Sequence, residues 1–222
     1  MSEYVVVAID GPAGAGKSTI ARRVAGRLGF TYIDTGAMYR AVALAAIRAG
    51  IDLADQPAVE ALARALQIGF SETGGVLLNG EDVSEAIRMP EMSPASSKVS
   101  VFAGVRRALV EKQRAIAARH SVVMEGRDIG SVVFPNAQVK VYLDADASVR
   151  AARRVKELRE KGIEADSAAI EREMRERDHR DSTRADSPLT RVPDAVYLDT
   201  TPLSPEQVEA AILEIVNTRL GK

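Results

Sequence analysis

The chain has 222 residues, 46% of them hydrophobic and 27% charged, with a formal net charge of -1. That length and balance suit one well-packed domain, or one domain carrying a small insert, and exclude wholesale disorder, a nucleic-acid coat and a polybasic membrane binder. Cysteine is absent and the histidines are only His120 and His179, which rules out a disulfide framework, a thiol nucleophile and a histidine- or cysteine-rich metal site.

Val5-Val6-Val7-Ala8-Ile9 is a short β-branched run stopped by Asp10-Gly11-Pro12, and it predicts a buried strand. The apolar run from Tyr4 is too short for a signal-peptide core, and no later stretch approaches the ~20 apolar residues of a membrane span. The expected location is the cytoplasm. A helical pattern follows over Lys17 to Leu28. Between strand and helix, Gly11-Pro12-Ala13-Gly14-Ala15-Gly16-Lys17-Ser18, continued by Thr19, matches G-x-x-x-x-G-K-S/T. In such a loop the glycines let successive N–H groups curl inward onto phosphate oxygens, and the helix N-terminus adds its positive end. The lysine reaches the β- and γ-phosphates and the serine hydroxyl binds magnesium. By average composition the match arises by chance in about one chain in a hundred of this length, and the flanking strand and helix lower that further. A plain tight turn is the competing explanation; the motif in this setting predicts binding of a nucleoside triphosphate.

A second short strand, Phe30-Thr31-Tyr32-Ile33, leads through Asp34-Thr35-Gly36 into an alanine-rich helix from about Ala37 to Ala49. Arg40 stands one turn into that helix, placed to hold a second phosphate opposite the γ-phosphate, with Tyr39 beside it. A capped helix start with a solvent arginine accounts for the same residues equally well. From about Gln56 to Ser100 the rhythm breaks. A short helix, then Gln67-Ile68-Gly69-Phe70 and Gly75 to Glu81, read as an inserted subdomain with small antiparallel strands and Gly or Asn-Gly turns.

Val122-Val123-Met124 resumes the buried-strand pattern, and Glu125-Gly126-Arg127-Asp128-Ile129-Gly130 follows it at the sheet edge that carries the phosphate loop. There Gly126 lets the backbone approach a ligand, Arg127 can pair with phosphate, Asp128 can accept hydrogen bonds and Glu125 can position magnesium through water. Val139 to Leu143 is the next strand. Asp146 to Arg191 carries charge of both signs at about half its positions, the pattern of solvated helices laced with i,i+4 pairs. Near its end Arg177, Arg180 or Asp181, and Arg184 share one helical face. That face suits a charged, hydroxyl-bearing ligand, with solvated salt bridging as the alternative. Ala195-Val196-Tyr197-Leu198 supplies a fifth strand, and a closing helix runs from about Pro205 to Leu220.

The alternation predicts an α/β fold of three layers around a five-stranded parallel sheet. Neither N-K-x-D nor D-x-x-G occurs, which argues against a GTPase. Arginine far outnumbers lysine, and arginines near strand ends favour a small-molecule kinase over a mechanical ATPase.

Taken together, Gly11 to Thr19, Asp34 to Arg40, Glu125 to Gly130, Val139 to Ala145, Arg177 to Arg184 and Pro188-Leu189 resemble, in this order, the bacterial-type cytidylate kinases. These are nucleoside monophosphate kinases similar to adenylate kinase in fold. The resemblance spans nearly the whole chain; before Gly126 stands Glu, where some members have Asp. It implies transfer of the ATP γ-phosphate to CMP or dCMP, giving CDP or dCDP in pyrimidine nucleotide metabolism, with Mg2+ as cofactor. It also implies one domain over 1–222, with a core of 1–55 and 101–222, a monophosphate-binding insert at 56–100 and a lid at about 150–168, near Lys161-Gly162.

By the same resemblance, ATP contacts come from Gly11, Pro12, Ala13, Gly14, Ala15, Gly16, Lys17, Ser18 and Thr19, with Arg150, Arg153 and Arg154 opening the lid. CMP contacts come from Thr35, Tyr39, Arg40, Ser97, Arg106, Arg127, Asp128, Arg177, Asp181 and Arg184. Lys17, Arg40 and Arg127 are the implied catalytic cations, and Ser18 and Glu125, the latter through water, the implied magnesium ligands. The base chemistry agrees: cytosine offers an N4 donor beside N3 and O2 acceptors, matching a carboxylate at Asp128 and a guanidinium at Arg106. Other readings stay open: a kinase for UMP, AMP or shikimate, and a regulator that binds ATP without transferring phosphate. No amphipathic stripe is left over once the sheet is covered, so a monomer is expected, with small-molecule substrates and neither nucleic acid nor membrane as partners.

Overall fold

A computed structural model describes residues 4–71, 74–160 and 162–221. In chain order the elements are β1 (Val6–Asp10), α1 (Lys17–Leu28), β2 (Thr31–Asp34), α2 (Thr35–Arg48), α3 (Gln56–Ala65), β3 (Ile68–Phe70), β4 (Val76–Leu78) and β5 (Glu81–Asp82). There follow α4 (Met92–Val99), α5 (Ala103–Ala117), β6 (Val122–Gly126), β7 (Val139–Asp144), α6 (Ala147–Glu160), α7 (Ser167–Thr183), β8 (Val196–Asp199) and α8 (Pro205–Leu220). A 3-10 turn occupies Ala86–Arg88 and a π-helical turn Ile129–Val133.

The expected α/β architecture is present: a five-stranded sheet in the order β2-β6-β1-β7-β8. The pairs β6–β1, β1–β7 and β7–β8 are parallel, with Asp10 opposite Gly126 on one side and Tyr142 on the other. β1 lies at the centre, and Val7, Ala8 and Ile9 are inaccessible to solvent. Such continuous β-branched runs are what a strand covered on both faces requires. The chain leaves β1 for one side of the sheet and returns to the other. Strand order therefore reverses beside β1, and the crevice outside its carboxyl end is where such sheets bind ligands.

The chain divides into two compact units, one formed by everything up to Thr31 together with Ser121 onward, the other by Tyr32–His120. In the first, α1 buries Ile20, Ala21, Val24 and Ala25 toward β1 and β6, while α8 buries Val208, Ile212 and Val216 toward β7 and α1. In the second, α2 buries Met38, Ala41, Val42 and Ala45 in a cluster that includes Val59 of α3, Val76 and Leu78 of β4, and Leu109 of α5. The bidentate Arg48–Glu81 pair, at 2.8 and 3.0 Å, ties the end of α2 to β5.

Several boundaries differ from the sequence expectation for identifiable reasons. α2 begins at Thr35, because the Asp34 carboxylate accepts the Ala37 N–H at 2.9 Å and caps the helix directly from the strand end. The run from Gly75 to Glu81 splits into β4 and β5. Asn79 and Gly80 both take positive φ, 51° and 89°, which is what a tight Asn-Gly hairpin turn demands. β6 continues through Glu125 and Gly126 by pairing with Ile9 and Asp10. The helix α5 lacks a side-chain cap at Phe102; instead Glu60 of α3 accepts the Gly104 N–H at 2.9 Å. Among the described residues, no helix is long and apolar enough to cross a membrane.

Candidate active site

The loop after β1 is built around three glycines with positive φ: Gly11 at 150°, Gly14 at 74° and Gly16 at 86°. Gly11 is forced by contact as well, since a Cβ there would run into the Leu143 carbonyl of β7. Gly16 occupies the N-cap of α1 and, having no side chain, adds no capping group of its own. The positive end of α1 is thereby directed at the loop. Lys17 is buried, and its ammonium donates to the Pro12 carbonyl at 2.6 Å. Burial, then the Arg127 guanidinium, pull its pKa down to about 7, against the opposing pull of Glu125 and Asp10. An anion placed beside that ammonium favours its charged form, the property required of a phosphate ligand. Ser18 and Thr19 are exposed in the first turn of α1.

A cluster of opposite charges lies in the same unit. Arg127 donates from Nε to Asp181 at 2.9 Å, and Arg177 and Arg184 stand 4.0 and 3.9 Å from the same carboxylate. Arg184 also lies 3.9 Å from Asp128. The helical face expected on α7 is therefore real, and the choice left open by spacing is resolved: Asp181 is buried and Arg180 exposed. Burial alone would raise the Asp181 carboxyl, yet Arg127, Arg177 and Arg184 together hold it below its ordinary value. Burial likewise opposes the charge on Arg127, and the Asp181 carboxylate outweighs it and raises the pKa further. Three guanidiniums about two carboxylates form a partly buried, densely charged site suited to a phosphate or a polyhydroxyl group.

Arg150 of α6 reaches the phosphate loop: it donates to the Ala13 carbonyl at 2.9 Å and pairs with Asp178 of α7. Asp178 in turn accepts the Ala13 N–H at 3.2 Å. Arg153 and Arg154 go elsewhere, Arg153 to the Thr200 carbonyl at 2.7 Å and Arg154 to Glu157 at 2.7 Å along its own helix. Lys161 lies outside the described residues; Gly162 beside it has φ 74° in the turn joining α6 to α7.

In the second unit, Asp34 pairs with Arg40 at 2.8 Å, so the strand-end carboxylate both caps α2 and orients the arginine one turn further on. Thr35 is buried at the first position of α2. The Arg106 guanidinium of α5 sits 5.7 Å from the centre of the Tyr39 ring and is 2% exposed. Ser97 is half-buried on α4.

Glu125 is buried at the end of β6. Among the described residues no three His, Asp or Glu side chains gather as a metal site. That donor set, one hydroxyl and one carboxylate, fits a magnesium that arrives on phosphates and keeps its waters rather than an all-protein cage.

Two residues with evident roles escaped sequence reading. Asp178 holds the phosphate loop, as above. Asp10, at the end of β1, accepts the N–H groups of Ile129 and Gly130 at 2.8 and 2.7 Å. Burial drives the Asp10 carboxyl up to about 6, against these two hydrogen bonds and the Lys17 ammonium that lower it.

A phosphate loop at the reversal point of a parallel sheet, backed by buried cations, defines a nucleotide-binding protein of the phosphate-loop class. Residues 7–218 match the family described as Cytidylate kinase. A cytidylate kinase from Solibacter usitatus is 60% identical over 218 residues, 97% of this chain and 94% of that protein. Those from Pelotomaculum thermopropionicum and Pasteurella multocida are 49% and 47% identical, covering 98% of both chains in the first case, and 99% of this chain and 98% of the relative in the second. The chain belongs to the cytidylate kinase family. Among solved structures, an uncharacterised protein from Eubacterium ventriosum has TM-score 0.52 at 9% identity, covering 96% of this chain and 98% of that one. A sugar kinase from Janibacter sp. has TM-score 0.50 at 19% identity, covering 96% and 95%. These two share the fold.

Proposed function

We infer that the chain transfers the γ-phosphate of ATP to CMP or dCMP, giving CDP or dCDP in pyrimidine nucleotide metabolism. The observation that carries this is the family match over residues 7–218, on a chain whose phosphate loop and buried cations supply what the reaction needs.

Phosphoryl transfer asks for little covalent chemistry from a protein, because its transition state spreads charge over three equatorial oxygens that fixed cations stabilise. Backbone amides of the Gly11–Thr19 loop hold the triphosphate, and Lys17 follows the charge as it moves toward the bridging oxygen. Arg127 and Arg40 bind the acceptor phosphate and bring its oxygen into line. Asp128 accepts from cytosine N4 while Arg106 donates to N3 and O2. Arg177 and Asp181 take the ribose, with Thr35, Tyr39, Ser97 and Arg184 completing the acceptor contacts. The Tyr39 ring against Arg106 supports the base reading, and the cluster of guanidiniums about Asp181 supports the sugar and phosphate reading. When bound, magnesium neutralises charge on the β- and γ-phosphates; Ser18 and, through water, Glu125 are the residues to hold it.

Residues 56–100 are read as the monophosphate-binding insert and about 150–168 as a lid, with Arg150 and Arg154 acting on ATP. The contact from Arg150 to Ala13 supports the first of these; Arg154 pairs with Glu157 and must exchange that partner to serve. Balanced charge supports small-molecule substrates as partners, and the active form is read as a cytoplasmic monomer.

The test is ADP formation from magnesium-ATP with CMP, dCMP, UMP, AMP and GMP in parallel. Activity concentrated on CMP and dCMP is expected. A flat panel with ATP still bound would overturn the acceptor assignment and leave a regulator.

A further inference from the structure

Asp10 is not a ligand-facing residue in the scheme above, yet it is one of few buried carboxylates among the described residues, 6% exposed. Both its oxygens are engaged, Oδ1 by the Ile129 N–H at 2.8 Å and Oδ2 by the Gly130 N–H at 2.7 Å. These are the first two amides of the π-helical turn Ile129–Val133, whose own cap residue, Asp128, makes no side-chain capping bond to it. Initial helical N–H groups need an acceptor when buried, and single π-turns commonly mark functional positions. Here the acceptor comes from a strand 119 residues earlier in the chain. The Asp128 carboxylate is turned instead toward Arg184, 3.9 Å away.

The approach is close on both sides. A Cβ at Gly130 would lie 3.2 Å from Lys140 Cδ and 3.4 Å from Asp10 Oδ2, so the turn packs closely on the Asp10 and Lys140 side chains. Asp10 is followed directly by Gly11 and the phosphate loop, while Ile129 is preceded directly by Arg127 and Asp128. A single carboxylate thus joins the strand that carries the donor loop to the turn that carries two acceptor residues.

We propose that Asp10 is a positioning residue for phosphoryl transfer, capping the Ile129–Val133 turn and thereby fixing Arg127 and Asp128 relative to the phosphate loop. The inference rests on the reading of Arg127 and Asp128 as acceptor ligands. It concerns acceptor recognition first, with a smaller effect on ATP through the charge Asp10 sets beside Lys17.

The discriminating variant is Asp10→Asn, which keeps one acceptor oxygen and sets an NH2 against an amide N–H. Leaving such a buried amide unpaired is expected to raise KM for CMP by on the order of 10-fold. The preference for CMP over UMP falls with it, while ATP affinity, measured by direct binding, falls less, through the charge removed from beside Lys17. A folded Asp10→Asn protein with unchanged KM for CMP and unchanged preference would overturn the proposal. Equal losses for ATP and CMP would overturn it too, by making Asp10 a general structural residue. Asp10→Glu keeps the charge but displaces both acceptor oxygens by a methylene, and decides the matter if Asp10→Asn fails to fold: a selective rise in KM for CMP is expected, and a wild-type KM contradicts the proposal. If the wild-type chain instead prefers another monophosphate, the functional reading fails, and the same comparison on that acceptor still judges Asp10.

Discussion

Asp128 is buried, 3.9 Å from Arg184, and follows the arginine that holds Asp181. In the proposed acceptor site, a carboxylate so placed would discriminate by what it cannot accept: cytosine brings a donor to it, whereas uracil brings a carbonyl oxygen. A buried group left facing a like partner costs several kcal/mol, far more than the loss of a methylene. Asp128→Ala is therefore expected to lower kcat/KM for CMP by on the order of 100-fold and for UMP far less. Steady-state kinetics on both acceptors decide it, and equal losses would remove Asp128 from base reading. At this scale the sequence was informative wherever residues act through local spacing. The i, i+4, i+7 pattern of Arg177, Asp181 and Arg184 survives into a shared carboxylate contact. Asp10 and Asp178 were not legible, since each is a lone carboxylate whose amide partner lies 119 or 165 residues away. Nothing in the neighbouring sequence encodes either pairing.

Elements announced themselves in proportion to how far their signals are local. The helices α1 and α8 match their expected bounds, and α8 shows why. Ser204 accepts the Gln207 N–H at 3.3 Å, Gln207 accepts the Ser204 N–H at 2.8 Å, and Pro205 opens the helix. That reciprocal capping box is complete within four consecutive residues. Ser204→Ala is expected to cost about 1 kcal/mol of unfolding free energy in urea and to leave kcat unchanged, because α8 packs toward α1 and β7 by its other face. A changed kcat would mean that the position of α8 reaches the chemistry. By contrast α5, which has no side-chain cap at its start, is marked in the sequence only by the spacing of Val105, Ala108 and Leu109, which are buried on one side of it. The π-turn after Asp128 was beyond reach for a different reason. Ile-Gly-Ser-Val-Val has no helical pattern of its own, and its first amides are met by Asp10, a residue distant in the chain.

For the whole molecule, charge balance conceals a local imbalance: three guanidiniums converge on Asp181 within a net charge of only -1. The Asp181 carboxyl lies below its ordinary 3.8 in the folded chain, so the unfolded chain binds the proton more readily. Its contribution to stability is then fully present above about pH 4 and is lost as pH falls through the folded value. Asp181→Asn is expected to destabilise the protein by about 3 kcal/mol at pH 7, as when one partner of a buried ion pair is removed. The gap to wild type should narrow at pH 3; a gap of constant size across denaturation curves would mean that another group carries the acid sensitivity. The Glu60 bond to Gly104 has a consequence in time as well as in space. It spans 44 residues, so the Gly104 N–H at the start of α5 gains this acceptor only once α3 has docked beside it. Closing that loop is an entropic step that helix propensity does not shorten. Within Tyr32–His120 this cap therefore forms with tertiary packing rather than with the helix alone.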